Sequence, residues 1–456
     1  MQQSERHPPG LAVLFFTEMW ERFSFYSMVA LFTLYLQNPV DGFGWTKAQA
    51  TSLYANYIMF VYASPLIGGW LADRKIGYRR AVMLGGLFFM AGHLLLSFRS
   101  LPVVYAALTC LVIGNGFFKP NVSTMVGNLY PEGSHLKDRA YNIFYMGINV
   151  GAFMAPLVAE FVKSIWGVHA AFAVAAIGML ISISILWRFK HYVEDPARQQ
   201  QPSADPDPGH EPVLDPALDP PPGPAPTPRA IDQVPDTTRI GALIVIFATV
   251  IVFWMVFHQN GSTLLYWADN NTDWTFQGTF DWEPSGTISH AINPFWVITL
   301  SFPLVWFWKW LDGRGLEPST PMKMTFGMFL VGGSFFLLYL AALRGEATAP
   351  SSDPNKFEVS PLWLISAYFV MTLGELCLSP MGLSLVSKVA PQRMRGLLMG
   401  GWFVATAIGN KLTMIGVYWD RWLHSSFFAI LGAMAVATAI FLLLIMRPLK
   451  RAMPGV

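Results

Sequence analysis

The sequence predicts an all-α membrane protein in which twelve transmembrane helices form two six-helix bundles. Three observations carry that expectation: a composition too apolar for a soluble globule, twelve apolar stretches of spanning length, and one proline-dense interruption with six stretches on either side. Of the 456 residues, 53% are hydrophobic and 13% charged, against roughly 25% charged in an ordinary soluble domain. With 17 Trp, 35 Phe and a positive mean hydropathy, one aqueous core cannot hide this much apolar surface, so lipid must solvate much of it. The net charge of +2, from 30 Lys+Arg and 28 Asp+Glu, gives no global sign of a nucleic-acid partner. Cys110 and Cys377 sit in apolar runs, which indicates neither a disulfide framework nor a Cys-rich metal site. The start, MQQSERHPPG, lacks the basic region of a cleavable signal, and Met1 is expected to be retained.

A hydrocarbon core of about 30 Å needs about 20 apolar residues per helix. The stretches that meet this are 11–37, 48–72, 81–98, 101–127, 139–162, 168–188, 240–266, 289–310, 322–342, 361–387, 396–418 and 425–446. Helices are expected because barrel strands would show a two-residue alternation that is absent. The interruption at 190–239 contains PSADPDPGHEPVLDPALDPPPGPAPTP. Proline this dense removes helix donors and restricts the preceding residues, so an extended, water-exposed linker is expected. The chain divides into an N-terminal six-helix bundle at 1–189, a cytoplasmic linker at 190–239 and a C-terminal six-helix bundle at 240–456. The linker reads either as a strap between bundles or as a tolerated insertion.

Of the 30 Lys and Arg, 21 fall on the side that receives both termini, six on the other and three within spans. Both termini are therefore expected in the cytoplasm, with Arg74, Lys75, Arg79 and Arg80 the densest basic cluster. The opposite-side segment Asp269–Glu283 has no Lys or Arg and reads as a solvated loop.

Several charges lie where lipid should exclude them. In TEMWERFSFY, Glu18 shares one helical face with Glu21 and Arg22. Such groups face a protein interior or a water cavity. They are either a packing ion pair or a proton site, since two adjacent carboxylates cannot both ionise cheaply. Lys119, in GNGFFKPNVSTMVGNLY, requires a carboxylate from span one or from a bound anion. Glu375, in GELCLSPMGLS, is a buried acid in the second half, opposite the buried bases Arg22 and Lys119. That opposition suits a zwitterion. His258 in span seven is either a hydrogen-bonded core histidine or a proton relay. A charged His258 would find its partner on span one near Val29. Asn149 and Asn293 serve helix packing or the polar termini of a ligand. Lys411 and Asp420 lie near a span end, where snorkelling is expected.

The segments TEMWERFSFY, GNGFFKPNVSTMVGNLY, NIFYMGINVGAF and GELCLSPMGLS resemble signature regions of the proton-dependent oligopeptide transporter family of the major facilitator superfamily. The loop GGWLADRKIGYRR, with Asp73, Gly77, Arg79 and Arg80, resembles the cytoplasmic signature of that superfamily. The resemblance spans nearly the whole chain except the linker. It implies the major facilitator fold and import of di- and tripeptides with protons by alternating access. It makes Glu18, Glu21 and Arg22 the span-one proton-coupling motif and Lys119 their partner, and adds Tyr26, Tyr62, Asn149, Asn293, Glu375, Ser379 and Trp402 as peptide contacts. The chain departs from the pattern at Val29, where relatives often carry arginine, and near His258, where many carry an acid. An extracellular gate built on that pair is not expected here, and His258 is left to take over proton chemistry.

No cofactor or metal is called for. The expected partners are di- and tripeptides, protons and the lipid bilayer, not nucleic acid. The expected working unit is a monomer in the cell inner membrane. Two alternatives stand beside peptide import: a proton-coupled facilitator for another amphoteric or anionic solute, and a polytopic membrane enzyme. The second lacks a metal-ligand cluster, a nucleophile elbow and a phosphate loop.

Overall fold

A computed structural model describes residues 7–130, 136–193, 230–275, 285–391 and 394–454. The described residues are helical apart from short connections and one isolated bridge between Thr272 and Val359. In the first half, α1 covers Pro9–Gln37, α2 Lys47–Ala63, α3 Pro65–Leu71, α4 Tyr78–Leu96, α5 Leu101–Asn128, α6 Leu136–Trp166 and α7 Val168–Arg188. In the second, α8 covers Asp236–Phe257, α9 Thr263–Asn270, α10 Ile292–Asp312, α11 Thr320–Glu346, α12 Pro361–Val389, α13 Arg395–Leu412, α14 His424–Leu444 and α15 Met446–Ala452. Among the described residues, nine helices or helix pairs are long and apolar enough to cross a membrane. This is a multi-pass membrane protein. Helix α1 is not among the nine; Glu18, Glu21 and Arg22 load it with charge that lipid alone would not tolerate.

Each half packs around its own core. Helix α1 lies against α6 and α7, and α4 against α5 and α7, while α11 lies against α12 and α14. One close approach recurs: a Cβ at Gly85 of α4 would stand 2.7 Å from the Gly114 carbonyl of α5, and one at Gly374 of α12 would stand 2.7 Å from the Gly327 carbonyl of α11. Only glycine lets these backbones meet, which is how helices gain contact in lipid.

The sequence-read spans 48–72 and 240–266 are both broken, and at each break a side-chain amide donates to backbone carbonyls. The stretch 48–72 opens on a capping box, with Thr46 accepting from the Gln49 amide and Gln49 accepting from the Thr46 amide. It breaks between α2 and α3 because Pro65 has no N–H for the carbonyl of Val61. Asn115 Nδ2 of α5 supplies the missing donor at 2.6 Å, which ties the break to the neighbouring helix. The stretch 240–266 breaks at a 3-10 turn, His258–Gly261, between α8 and α9. There Gln259 Nε2 donates to the carbonyls of Met255 at 3.1 Å and Thr413 at 3.4 Å.

The linker reading falls mostly on 194–229, outside the described residues; on its far side α8 starts at Asp236, four residues ahead of the expected span. The expectation of a solvated loop after span seven holds at Asp269, Asn270, Asp273 and Thr275, which are exposed, and needs correction at Asn271, Thr272 and Trp274, which are buried. Asn271 is buried and donates to the carbonyls of Asn355 and Phe357, and Trp274 is buried and donates to the Ala268 carbonyl at 2.6 Å. The aromatic Trp274 gives this segment a surface to bury.

Candidate functional site

On α1, Glu18, Glu21 and Arg22 are all buried. Arg22 Nη2 donates to Glu21 Oε1 at 2.7 Å, and Arg22 Nε contacts both Glu21 Oε2 and Glu18 Oε1, the latter at 3.2 Å. Helical spacing brings Glu18 to the guanidinium, which also lies 5.1 Å from the Phe25 ring centroid. Glu18 Oε2 has no partner. With both carboxylates ionised the trio carries one net negative charge; with one proton bound it is neutral. The expectation of an ion pair and that of a proton site therefore fall on the same three side chains, and the unsatisfied Glu18 oxygen is where the set is least committed.

Lys119 Nζ lies 4.5 Å from the centroid of the Tyr62 ring of α2. An aromatic face holds a desolvated cation, which leaves the ammonium's hydrogen-bonding capacity open. Glu18, Glu21 and Arg22 lie within electrostatic range of it. His258 completes this cluster. Its ring stacks on Trp254 at 4.9 Å and meets the Tyr62 ring edge-on at 5.6 Å, with Lys119 in electrostatic range. Its surroundings are aromatic because the turn after α8 swings it toward α2. His258 Nε2 and Trp254 Nε1 are both buried without a partner, and Val29 is packed in the first-half core.

In the second half, Asn293 at the start of α10 donates to Glu375 Oε2 at 2.8 Å and to Thr372 Oγ1 at 2.9 Å. Two residues stand between the groups. Tyr26 lies in electrostatic range of Arg22 and Glu375, and Tyr145 in range of Glu375 and Tyr26. Asn149 Nδ2 donates to the Tyr145 carbonyl at 2.9 Å. Tyr145 is 37% exposed. Trp402 is buried against Phe247 of α8, 6.4 Å between rings, and Ser379 lies on α12 outside the residues whose side chains are described.

Sequence reading missed Trp254, Thr372 and Tyr145. The first two lie four residues before His258 and three before Glu375, and Tyr145 lies four before Asn149, so helical spacing from each charged or amide residue was the available signal. Snorkelling at the span end gives way to pairing: Lys411 Nζ donates to Asn56 Oδ1 of α2, and Lys47 Nζ lies 3.2 Å from Asp420 Oδ1. Both contacts join the two halves, where a partner replaces the aqueous boundary that snorkelling seeks.

The family model described as PTR2, POT family, matches residues 79–204 and 226–419. The uncharacterized transporter YclF of Bacillus subtilis (strain 168) is 31% identical over 485 residues, covering 99% of this chain and 96% of that protein. The di-/tripeptide transporter of Lactococcus lactis subsp. cremoris is 31% identical over 496 residues, covering 98% and 97%. A crystal structure of the peptide transporter POT in complex with sulfate superposes with a TM-score of 0.81 at 29% identity, over 100% of this chain and 97% of that one.

Proposed function

Because the chain belongs to the POT family, we propose that it imports di- and tripeptides together with protons by alternating access. It is a transporter and not an enzyme. The observation that carries the peptide reading is the opposition of unlike charges from the two halves: Arg22 and Lys119 from the first, Glu375 held by Asn293 from the second, with Tyr26 in range of Arg22 and Glu375. A peptide's carboxylate matches the bases and its ammonium matches the acid. The relatives whose names specify di- and tripeptides support the same substrate class.

In this reading Glu18, Glu21, Arg22, Lys119 and His258 couple the proton. Arg22, Tyr26, Tyr62, Lys119, Asn149, Asn293, Glu375, Ser379 and Trp402 contact the peptide. The working arrangement is twelve spans in two six-helix bundles, 1–189 and 240–456, joined by the cytoplasmic linker 190–239. The protein acts as a monomer in the cell membrane with both termini cytoplasmic, the end where the basic loops gather.

Competition separates this reading from another amphoteric or anionic solute. Uptake of a radiolabelled dipeptide is measured against unlabelled dipeptides, nitrate, single amino acids and sugars. Dipeptides and tripeptides should compete and the rest should not; equal competition by nitrate or an amino acid would move the substrate class.

A further inference from the structure

The polar contacts that join the two halves gather toward one end of the helices. Thr33 Oγ1 donates to the Gly261 carbonyl at 3.2 Å, Thr51 Oγ1 and Tyr266 Oη lie 3.1 Å apart, and Lys47 pairs with Asp420. The one of these contacts with the most hydrogen bonds belongs to a carboxylate outside the site described above. Glu160, near the end of α6, is 3% exposed. Its Oε1 accepts from the backbone N–H of Ser285 at 3.0 Å, and its Oε2 accepts from Ser285 Oγ at 2.7 Å and Lys163 Nζ at 2.8 Å. Lys163 Nζ also donates to Ser285 Oγ at 2.6 Å. Ser285 caps the 3-10 turn Gly286–Ala291 that leads into α10. On its own side that turn is held by Asp269, whose Oδ1 accepts from the Gly286 N–H at 3.0 Å. One carboxylate from each half thus grips the same turn.

The second half contains the same grip turned inward. Glu346, at the end of α11, accepts from the Ser425 N–H at 2.8 Å and from Ser425 Oγ at 2.6 Å. Ser425 opens α14, which packs on α11 within one half. The same carboxylate-on-serine grip, with Lys163 added at Glu160, therefore fastens one pair of helices that stay together and another pair that alternating access must part.

We propose that Glu160 is the latch of this end. Its two-point grip on Ser285 holds the end shut, and the end opens only when that grip is released. Release strips this buried carboxylate of both Ser285 donors and leaves it only Lys163 of its own helix, so water must enter the seam to replace them, which makes the latch cooperative with the neighbouring contacts. The proposal rests on alternating access but not on the identity of the substrate.

The test is a spin-label distance measurement on the full chain in nanodiscs without peptide. Labels sit at Val40 and Ser352, exposed positions on the two halves at this end, in a Cys110→Ser, Cys377→Ser background. The parent should give one short distance. Glu160→Ala should add a longer one and raise the open-to-closed ratio at least tenfold, and Ser285→Ala should shift it the same way by less. Glu346→Ala should lower the melting temperature and leave the distance unchanged. A Glu160→Ala distribution that coincides with the parent, or an equal shift from Glu346→Ala, would overturn the latch. If Glu160→Ala does not fold, the Ser285→Ala distribution decides alone. Failure of peptide transport would leave these distances standing.

Discussion

Glu375 is oriented by Asn293, whose amide lies 2.8 Å from its Oε2; among the described residues no lysine or arginine forms an ion pair with that carboxylate. A neutral partner fixes direction without cancelling charge, so a ligand ammonium is the counter-charge the carboxylate lacks. Each charge-assisted contact contributes about 1.5–3 kcal/mol, and 1.4 kcal/mol is tenfold in affinity. Glu375→Gln should therefore cut the preference for free over N-acetylated dipeptides by roughly tenfold or more, read from competition constants. An unchanged preference would separate Glu375 from the ammonium.

Lys119 rests on an aromatic ring with hydrogen-bonding capacity open, one helix away from Arg22. C-terminal amidation of a dipeptide should weaken competition roughly tenfold in the parent, and Lys119→Gln should erase most of that difference. If amidated and free dipeptides compete equally well, the bases do not hold the carboxylate.

Glu21→Gln keeps the shape of a side chain that Arg22 grips from two sides but removes its proton. Uphill, proton-driven uptake should be lost while peptide counterflow continues. Loss of both modes to the same degree would assign Glu21 to binding or folding instead.

His258 stands in electrostatic range of Lys119, so a charge on one is felt by the other. His258→Gln retains hydrogen bonding without titrating. Initial uptake against external pH should shift or flatten, with peptide affinity within a few-fold of the parent. Superimposable profiles would leave His258 as a packed aromatic partner of Trp254 and Tyr62.

Gly261 has no room for a side chain, since a Cβ there would lie 1.9 Å from Tyr54 Oη. Gly261→Ala should keep the two halves from closing at this end and slow uptake at least tenfold, and Tyr54→Ala in the same chain should restore part of the rate by removing the obstructing ring. A Gly261→Ala protein with ordinary uptake would show that this contact yields without consequence.

What the sequence disclosed and what it withheld divide along physical lines. Span positions follow from local apolarity, and the trio on α1 from helical spacing alone, because Glu18, Glu21 and Arg22 are neighbours on one helix. The break at Ser64–Pro65 was open to reading from the proline, but its repair by Asn115 depends on a helix some fifty residues later. Lys119 on Tyr62, Lys411 on Asn56 and Lys47 with Asp420 are products of tertiary packing, to which no periodicity points. Glu160 escaped notice because a charge near a span end is ordinary in sequence; only the fold reveals that Ser285 encloses it.

The central claim is that peptide and proton move together, and proteoliposomes holding only this protein test it most directly. A pH-sensitive dye in the lumen reports on protons while a labelled dipeptide added outside reports on uptake. The account predicts that the dipeptide acidifies the lumen as it enters, and that Glu21→Gln abolishes the acidification. Peptide entry with no change in lumenal pH would contradict it.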